Sequence, residues 1–258
     1  MQKYSLSKTR CACGGSAENS DARVKTVGDA VVDIDRIHRK GFPEVVFAQG
    51  KRTADIIRIL KCLARKSIPA LASRVNEVQA NALKKAFYPK GEWFPEARVF
   101  IANRKTAVPR ASYPTRIGIL TAGLSDRPVA EEAAQILLST NYPLARIYDV
   151  GVAGLHRLFM RIEDVKKCEA LIVVAGMDGA LPSVVAGLVD QPVIAVPTSV
   201  GYGVSQNGMT ALHAMLMSCA PGLTVVNIDN GYGAAMMAHA ICRRIHKGKR
   251  VKRGRRNE

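Results

Sequence analysis

The sequence lacks the features of a secreted or membrane-spanning chain. No apolar run approaches the roughly 20 residues that a transmembrane helix needs, and the N-terminus has no apolar core of a secretory signal. Six cysteines occur without a C-x-x-C pair, and in a chain of 258 residues they do not form the pattern of a disulfide framework. We therefore expect a soluble protein of the reducing cytoplasm, without membrane contact.

Two common nucleotide-binding motifs are also missing. No loop spells G-x-G-x-x-G after a strand, and none spells G-x-x-x-x-G-K-[ST]. This disfavours a standard dinucleotide fold and a P-loop. Cys11 and Cys13 have no second pair nearby, and no carboxylate cluster stands out, so no protein-bound metal site is predicted.

Acidic residues are scarce, at 21 against 38 lysines and arginines, which gives a formal net charge of +17. The excess is concentrated at the ends, because residues 243–258 hold nine lysines and arginines and one glutamate. A basic tail can bind nucleic acid through phosphates. This tail lacks aromatic residues for base stacking, so we expect it to be a solvated segment. No nucleic-acid contact is expected outside this tail.

Hydrophobic periodicity divides the chain into a small domain and a larger one. The small domain is predicted to be β-α-β-α-β, and the larger one alternates short, uniformly apolar strands with helices, which is typical of a parallel sheet covered on both faces. The predicted fold is therefore α/β, with a three-layer α/β/α core after the small domain. The expected segments are a flexible basic arm (1–30), the small α/β domain (31–102), a linker (103–115), the catalytic domain (116–246) and a basic disordered tail (247–258).

The predicted strands of the larger domain end in loops rich in glycine and hydroxyl residues. Carboxyl ends of parallel strands meet at one edge of a sheet, where ligands commonly bind. Glycine lets backbone N–H groups approach a phosphate, and helix N-termini favour its negative charge. These loops predict a nucleotide-sized site, although each loop alone is also compatible with ordinary turn chemistry.

Cys219 is the most conspicuous reactive side chain, placed between an apolar helix over 209–217 and a β-branched strand over 223–227. Free cysteine more often packs as a small hydrophobe, and a helix C-terminus does not favour a thiolate. The residue types alone therefore leave open both a structural and a catalytic cysteine.

Several motifs, in their order and spacing over about residues 33–245, resemble the LarB-type family of nickel-pincer nucleotide cofactor biosynthesis. The core of that family is similar to aminoimidazole ribonucleotide carboxylases and mutases. The motifs are Gly41-Phe-Pro-Glu-Val-Val-Phe47, Gly123-Leu-Ser-Asp126, Gly176-Met-Asp-Gly-Ala-Leu-Pro-Ser183, Val196-Pro-Thr-Ser-Val-Gly-Tyr-Gly203, Ser218-Cys-Ala-Pro-Gly222 and Asn227-Ile-Asp-Asn-Gly-Tyr-Gly233.

The resemblance implies carboxylation of the pyridinium ring of nicotinic acid adenine dinucleotide, with hydrolysis of its phosphoanhydride to pyridinium-3,5-biscarboxylic acid mononucleotide and AMP. It also implies carbon dioxide or bicarbonate as co-substrate, no tightly bound cofactor, Mg²⁺ only on the substrate diphosphate, and a homo-oligomer, expected to be an octamer. Two alternatives remain open at this point: an aminoimidazole ribonucleotide carboxylase or mutase, and a non-catalytic nucleotide-binding module with a nucleic-acid-binding tail.

The same resemblance assigns roles to particular residues. Cys219 matches the nucleophile, and Asp178, where glutamate is usual, is implied to handle the ring proton. Ser125 and Asp126 match the pair that binds the ribose and phosphate region. Capping is the alternative role, for Asp178 at the helix near Ala180 and for Ser125 or Asp126 at the helix near Pro128. The remaining substrate-binding residues expected are Gly123, Gly154, Gly176, Met177, Ser199, Gly201, Gly203, Asn230 and Gly231, the last two closing the crevice beside Cys219.

Overall fold

The computed structural model describes residues 23–65, 69–103 and 115–254, with residues 247–254 described as backbone alone. Residues 1–22 of the expected arm, with Cys11 and Cys13, lie outside the described residues. So do residues 66–68, residues 104–114 of the expected linker, and residues 255–258 of the expected tail.

The N-terminal part is a β-hairpin followed by a four-stranded mixed sheet with helices. In sheet order β3-β4-β6-β5, the pair β3 and β4 is parallel and the other pairs are antiparallel. The elements are β1 (Lys25–Val27), β2 (Ala30–Val32), α1 (Arg36–Lys40), β3 (Val45–Phe47), α2 (Thr53–Ala64), β4 (Ala70–Ser73), α3 (Glu77–Ala86), β5 (Gly91–Phe94) and β6 (Val99–Ala102).

The predicted β-α-β-α-β order is present, with three additions that the sequence interpretation missed: the β1–β2 hairpin, the short helix α1 and strand β5. Strand β1 and the turn of the β1–β2 hairpin lie within the segment expected to be a flexible arm, and the hairpin turns at Gly28, whose φ of 62° is the left-handed conformation that glycine favours. Strand β5 is partly buried along its whole length, so it lacks the in-and-out alternation that identifies a strand. At the start of α3, the side chains of Asn76 and Gln79 each accept a hydrogen bond from the backbone N–H of the other, which is a capping box.

The C-terminal part is a five-stranded, fully parallel sheet in the order β11-β10-β9-β7-β8, which confirms the predicted α/β core. Each predicted strand is present. The elements are β7 (Ile117–Thr121), α4 (Arg127–Leu138), β8 (Leu144–Ile147), α5 (Leu155–Phe159), α6 (Ile162–Lys166), β9 (Ala170–Ala175), α7 (Leu181–Leu188), β10 (Val193–Pro197), α8 (Met209–Leu216), β11 (Leu223–Val225) and α9 (Gly231–Gly254).

Helices α4 and α9 lie between the two sheets and join them into one hydrophobic core. This core contains Phe42 and Leu71 from the small domain together with Ile119, Ala133 and Ala238 from the larger one. Helix α4 is consequently covered on all sides, and every residue from Ala130 to Leu137 is buried. The two sheets therefore share a helical layer, and the small domain is packed against the catalytic domain.

Helix α9 is longer than expected. The sequence predicts its end near Ile245 and a disordered tail from residue 247, whereas the helix continues to Gly254. Lysine and arginine are good helix formers, and positive charge near a helix C-terminus interacts favourably with the helix dipole. The helix therefore includes residues 247–254 of the segment that the sequence assigns to the tail.

Candidate active site

The loops that leave β7, β8, β9 and β10 lie at one edge of the parallel sheet, as predicted. Most of the residues proposed for substrate binding lie on these loops, together with Asp178, which is proposed for catalysis. They are Gly123, Ser125 and Asp126 after β7, Gly154 after β8, Gly176, Met177 and Asp178 after β9, and Ser199, Gly201 and Gly203 after β10.

Asp126 connects three of these loops. Its side chain is only 4% exposed, and it accepts hydrogen bonds from Thr198 Oγ1 at 2.7 Å and from the Gly123 N–H at 3.0 Å. Burial raises the pKa of this carboxyl, while hydrogen bonds from Thr198 and from the backbone of Gly123 and Gly176 act in the opposite direction. Asp126 thus holds the β7, β9 and β10 exits together, and the neighbouring Ser125 is exposed at their surface.

The loop after β9 presents Met177 and Asp178 to solvent. Gly176 needs to be glycine here, because an added Cβ would lie 2.3 Å from the Val200 carbonyl oxygen. Asp178 Oδ1 accepts a hydrogen bond from the Ala180 N–H at 3.3 Å, close to the start of α7. This bond lies before the helix, whose N-cap residue is Ala180 without a side-chain cap hydrogen bond, so the capping role considered for Asp178 is not observed.

The loop after β10 is joined to the residues that follow β11. The Ser199 N–H donates to Asp229 Oδ1 at 2.8 Å, and the Asp229 N–H donates to the Pro197 carbonyl at 2.8 Å. Gly201 has a φ of 152° and lies so close to Ser205 that a side chain would collide with its hydroxyl. Gly203, also with positive φ, borders open space.

Asn230 and Gly231 begin helix α9. The Gly233 N–H donates to Asn230 Oδ1 at 2.7 Å, so Asn230 caps the helix. A Cβ on Gly231 would lie 2.4 Å from the Val129 carbonyl oxygen, which makes this glycine a requirement of the contact between α9 and α4. Both residues therefore have structural roles that are compatible with a neighbouring ligand.

The loop after β8 carries an ion pair that the sequence interpretation did not use. Arg157 Nη1 lies 2.8 Å from Asp149 Oδ2, and the Asp149 N–H donates to Thr121 Oγ1 at 3.1 Å. Gly154 lies against this arginine, since its Cβ would be 3.0 Å from Arg157 Nε. A guanidinium at this edge is suited to bind a phosphate. The sequence signal that could have indicated it was the basic pair His156-Arg157, directly after Gly154-Leu155.

Cys219 does not join these loops within one chain. It is exposed, and it precedes the amino end of β11, where the Val193 N–H donates to the Gly222 carbonyl at 3.0 Å. Asn230 and Gly231 follow the carboxyl end of the same strand. The expectation that they close a crevice beside Cys219 is therefore wrong for a single chain, because the thiol and these residues flank opposite ends of β11.

The segment around Cys219 is attached to α7 instead. Ser183 Oγ donates to Ser218 Oγ at 2.8 Å, and the Ala220 N–H donates to the same Ser218 oxygen at 3.2 Å. Next to it, Leu216 and Met217 are 63% and 81% exposed. The thiol therefore lies in an apolar, exposed surface.

Two residues missed by the sequence interpretation connect the site to the small domain. Arg74 donates through Nε to Glu132 Oε1 at 3.1 Å and through Nη2 to the Asp229 carbonyl. Glu132, on α4, is buried and also accepts a hydrogen bond from Ser73 Oγ. These partners lie 58 or more positions apart along the chain, so no local pattern could have indicated them.

Within residues 23–65, 69–103 and 115–254, no group of three or more histidine, cysteine, aspartate or glutamate residues could hold a metal ion. In the same part of the chain, no helix is long and apolar enough to cross a bilayer.

Comparison with known proteins identifies two matching families. Residues 24–105 match the LarB/PurE-like N-terminal domain, and residues 116–255 match AIR carboxylase. An uncharacterised protein of Methanocaldococcus jannaschii is 42% identical over 229 residues, which are 84% of this chain and 85% of that protein. These matches confirm the resemblance inferred from the motifs.

Named enzymes are similar over a shorter length. The N5-carboxyaminoimidazole ribonucleotide mutase of M. jannaschii is 35% identical over 130 residues, which are 48% of this chain and 77% of the mutase. The mutase of Pyrococcus horikoshii is 34% identical over 132 residues, or 48% of this chain and 71% of the mutase. A match of this length is too short to include both domains.

Proposed function

The chain belongs to the AIR carboxylase family and carries a LarB/PurE-like N-terminal domain, and from this premise we propose that it carboxylates nicotinic acid adenine dinucleotide and hydrolyses the phosphoanhydride. The products are pyridinium-3,5-biscarboxylic acid mononucleotide and AMP, for nickel-pincer cofactor biosynthesis. The observation that carries the proposal is the exposed thiol of Cys219. The other cysteines that the structure describes, Cys62, Cys168 and Cys242, are buried, and burial raises the pKa of Cys242 to about 11.

A thiolate is needed because a pyridinium ring is a poor carbon nucleophile. Addition of the Cys219 sulfur to the carbon opposite the ring nitrogen forms a C–S bond and converts the ring to an electron-rich dihydropyridine. The unsubstituted carbon beside the adduct then attacks carbon dioxide and forms a C–C bond. Loss of the proton from that carbon, accepted by Asp178, and departure of the thiolate restore aromaticity. One difficult step is thereby divided into easier ones.

The substrate is bound by the loops that follow β7, β8, β9 and β10, which we call the carboxyl-end loops. The exposed Ser125 and the backbone around Ser199 and Gly203 face the same edge as Arg157, where ribose and phosphate groups can be held. Carbon dioxide or bicarbonate supplies the new carboxyl group. Because the described residues contain no cluster of metal ligands, we expect Mg²⁺ to bind through the substrate diphosphate.

The separation of Cys219 from these loops favours an oligomer in which one copy supplies the thiol to the loops of another. Leu216, Met217, Tyr202 and Val204 are large apolar side chains more than 60% exposed, and contact between copies would cover such surface. We propose a homo-oligomer, with the octamer as the expected form. A purely monomeric species in size-exclusion chromatography with light scattering, at assay concentrations, would contradict it.

The decisive experiment is to incubate the purified full chain with nicotinic acid adenine dinucleotide, Mg²⁺ and ¹³C-labelled bicarbonate, and to analyse small molecules and intact protein by mass spectrometry. We expect labelled biscarboxylate mononucleotide and AMP in equal amounts, with a transient mass increase on Cys219. Absence of both products while the substrate still binds would reject the proposed reaction.

A second candidate is the aminoimidazole ribonucleotide carboxylase or mutase reaction, favoured by the two similar mutases. Aminoimidazole is already electron-rich at carbon, so this reaction needs no thiol, and it leaves both Cys219 and the N-terminal domain without a role. A parallel assay with aminoimidazole ribonucleotide or its N5-carboxy derivative separates the candidates, since turnover of that substrate alone would identify a purine-pathway enzyme.

A further inference from the structure

A cavity of about 400 Å³ lies between the two domains. Phe47, Ser73 and Arg74 line it from the small domain, and Asp229, Asn230 and Tyr232 are among the residues that line it from the larger one. Small-molecule sites usually measure about 300–1,000 Å³, so this cavity has room for a ligand of nucleoside size.

The cavity adjoins the carboxyl-end loops. Asp229 forms part of its wall and at the same time accepts the hydrogen bond from the Ser199 N–H, at 2.8 Å, in the loop after β10. Asn230, the cap of α9, lines the cavity on the same side. A molecule bound at the β10 exit can therefore extend past Asp229 into the cavity.

The charges in the cavity do not favour a free anion. Its guanidinium, on Arg74, is already hydrogen-bonded to Glu132 and to the Asp229 carbonyl. The Glu132 side chain is only 3% exposed, so its negative charge is balanced mainly by Arg74. Asp229 adds a second carboxylate. An uncharged ligand with hydroxyl groups is therefore preferred to a phosphate.

The remaining lining suits a flat base and a sugar. Phe47 lines the cavity, is 53% exposed and has Lys51 Nζ 6.0 Å from its ring centroid, and Tyr232 contributes a second, partly buried ring. Aromatic rings stack on nucleobases of any sequence. One oxygen of Asp229 is bonded to Ser199, which leaves the other able to accept from a ribose hydroxyl, a role that carboxylates have in dinucleotide-binding folds.

We propose that the interdomain cavity binds the adenosine half of the dinucleotide, with the base against Phe47 and the ribose near Asp229, while the pyridinium half lies at the carboxyl-end loops. The proposal rests on the proposed function for the identity of the dinucleotide. It also gives the small domain a task, because this domain provides Phe47, Ser73 and Arg74, which belong to the match with the LarB/PurE-like N-terminal domain.

The first test measures AMP binding to the full chain by isothermal titration calorimetry, without any turnover. Phe47→Ala should raise the dissociation constant about tenfold, because it removes a stacking ring. Phe47→Tyr should keep wild-type affinity, and so should the matched control Val78→Ala, which truncates a side chain that is 78% exposed on the same domain outside the cavity. Wild-type protein that does not bind AMP, or Phe47→Ala that binds it equally well, would overturn the proposal.

The second test compares two ligands. Phe47→Ala should raise KM for nicotinic acid adenine dinucleotide about tenfold with little change in kcat, and it should leave the dissociation constant of nicotinic acid mononucleotide, which lacks the adenosine half, as in the wild type. If the wild type carboxylates the dinucleotide but Phe47→Ala leaves its KM unchanged, the cavity proposal fails alone. If AMP binds as expected but no carboxylation occurs, the proposed function fails and the adenosine site remains.

Discussion

The two halves of the candidate site differ in how firmly the fold holds them. The carboxyl-end loops are cross-linked by buried groups, above all by Asp126 with Thr198 and by Asp229 with Ser199. The Cys219 segment is exposed and is attached through Ser218 to α7. From this comparison we propose that one chain preforms the binding surface, and that the substrate and a second copy complete the surroundings of Cys219.

The largest expected effect is a loss of activity in the exposed half of the site, the Cys219 segment. Cys219→Ala should reduce carboxylation by about 1,000-fold or more, because the covalent route is lost. The free energy of unfolding should change by less than about 0.5 kcal/mol, since the thiol is exposed. Turnover is measured by product formation and stability by urea unfolding.

The matched control is Cys242→Ala, which should give the opposite result. Cys242 is 0% exposed in the core between the sheets, so its truncation should lower stability by about 1 kcal/mol while activity per folded molecule persists. Near-normal turnover in Cys219→Ala would remove the thiol from the mechanism and weaken the distinction between the two halves.

A smaller effect is expected at Asp178, the exposed residue of the carboxyl-end loops that is proposed to accept the ring proton. Asp178→Ala should lower kcat about 100-fold, which is typical of losing a general base. Asp178→Glu should retain most activity, and Asp190→Ala, the loss of an exposed carboxylate elsewhere, should have no effect.

Asp178→Ala also tests whether the two halves come from different copies. Co-refolding it with Cys219→Ala should produce some sites with both native residues and hence activity that neither variant has alone. If mixed assemblies form but remain inactive, thiol and carboxylate must come from the same chain.

A loss of stability is expected in the carboxyl-end loops, the half of the site that buried hydrogen bonds hold together. Asp126→Ala should lower the free energy of unfolding by about 2–3 kcal/mol, because it leaves the fully buried Thr198 hydroxyl and the Gly123 N–H without their acceptor. Thr198→Val, which removes a single hydrogen bond and keeps the shape, should cost about 1 kcal/mol. Urea unfolding measures both. Equal, negligible losses would show that Asp126 does not hold the loops together.

The larger domain could be predicted from sequence because its signals are local. Uniformly apolar strands such as β7 and β9, separated by amphipathic helices, specify a parallel sheet, and the sheet brings the exits of β7 to β10 together. The position of Cys219 also follows from chain order, because a residue before β11 cannot lie at the exit of that strand. The sequence interpretation overlooked this consequence.

The junction of the domains could not be predicted in this way. Glu132 is a charged residue of α4, a type that usually stays exposed, yet the small domain covers it and supplies Ser73 and Arg74 as partners. The interdomain cavity depends on the same contact. Such features arise from the packing of two sheets on one helical layer, and periodicity within a segment carries no information about it.

The smallest expected effect lies behind the carboxyl-end loops, where α9 meets the small domain. His239 is 3% exposed, its Nε2 donates to the Lys40 carbonyl at 3.1 Å, and its Nδ1 lies 3.1 Å from the Tyr142 hydroxyl. Burial lowers the pKa of His239, and the Arg243 charge adds to this effect. The folded protein therefore keeps His239 neutral at pH values where the unfolded chain, with a histidine pKa of about 6.5, binds a proton.

The stability that depends on neutral His239 should be complete above about pH 6.5 and should decrease as the pH falls below it, by at most about 1.4 kcal/mol per pH unit. His239→Gln should remove this part of the pH dependence in urea unfolding between pH 7.5 and pH 5.5, whereas His213→Gln, at an exposed position, should leave it unchanged. An identical pH dependence in wild type and His239→Gln would mean that other titratable groups cause the loss of stability at low pH. Activity measured at the same pH values would then show whether the carboxyl-end loops depend on the contact between α9 and the small domain.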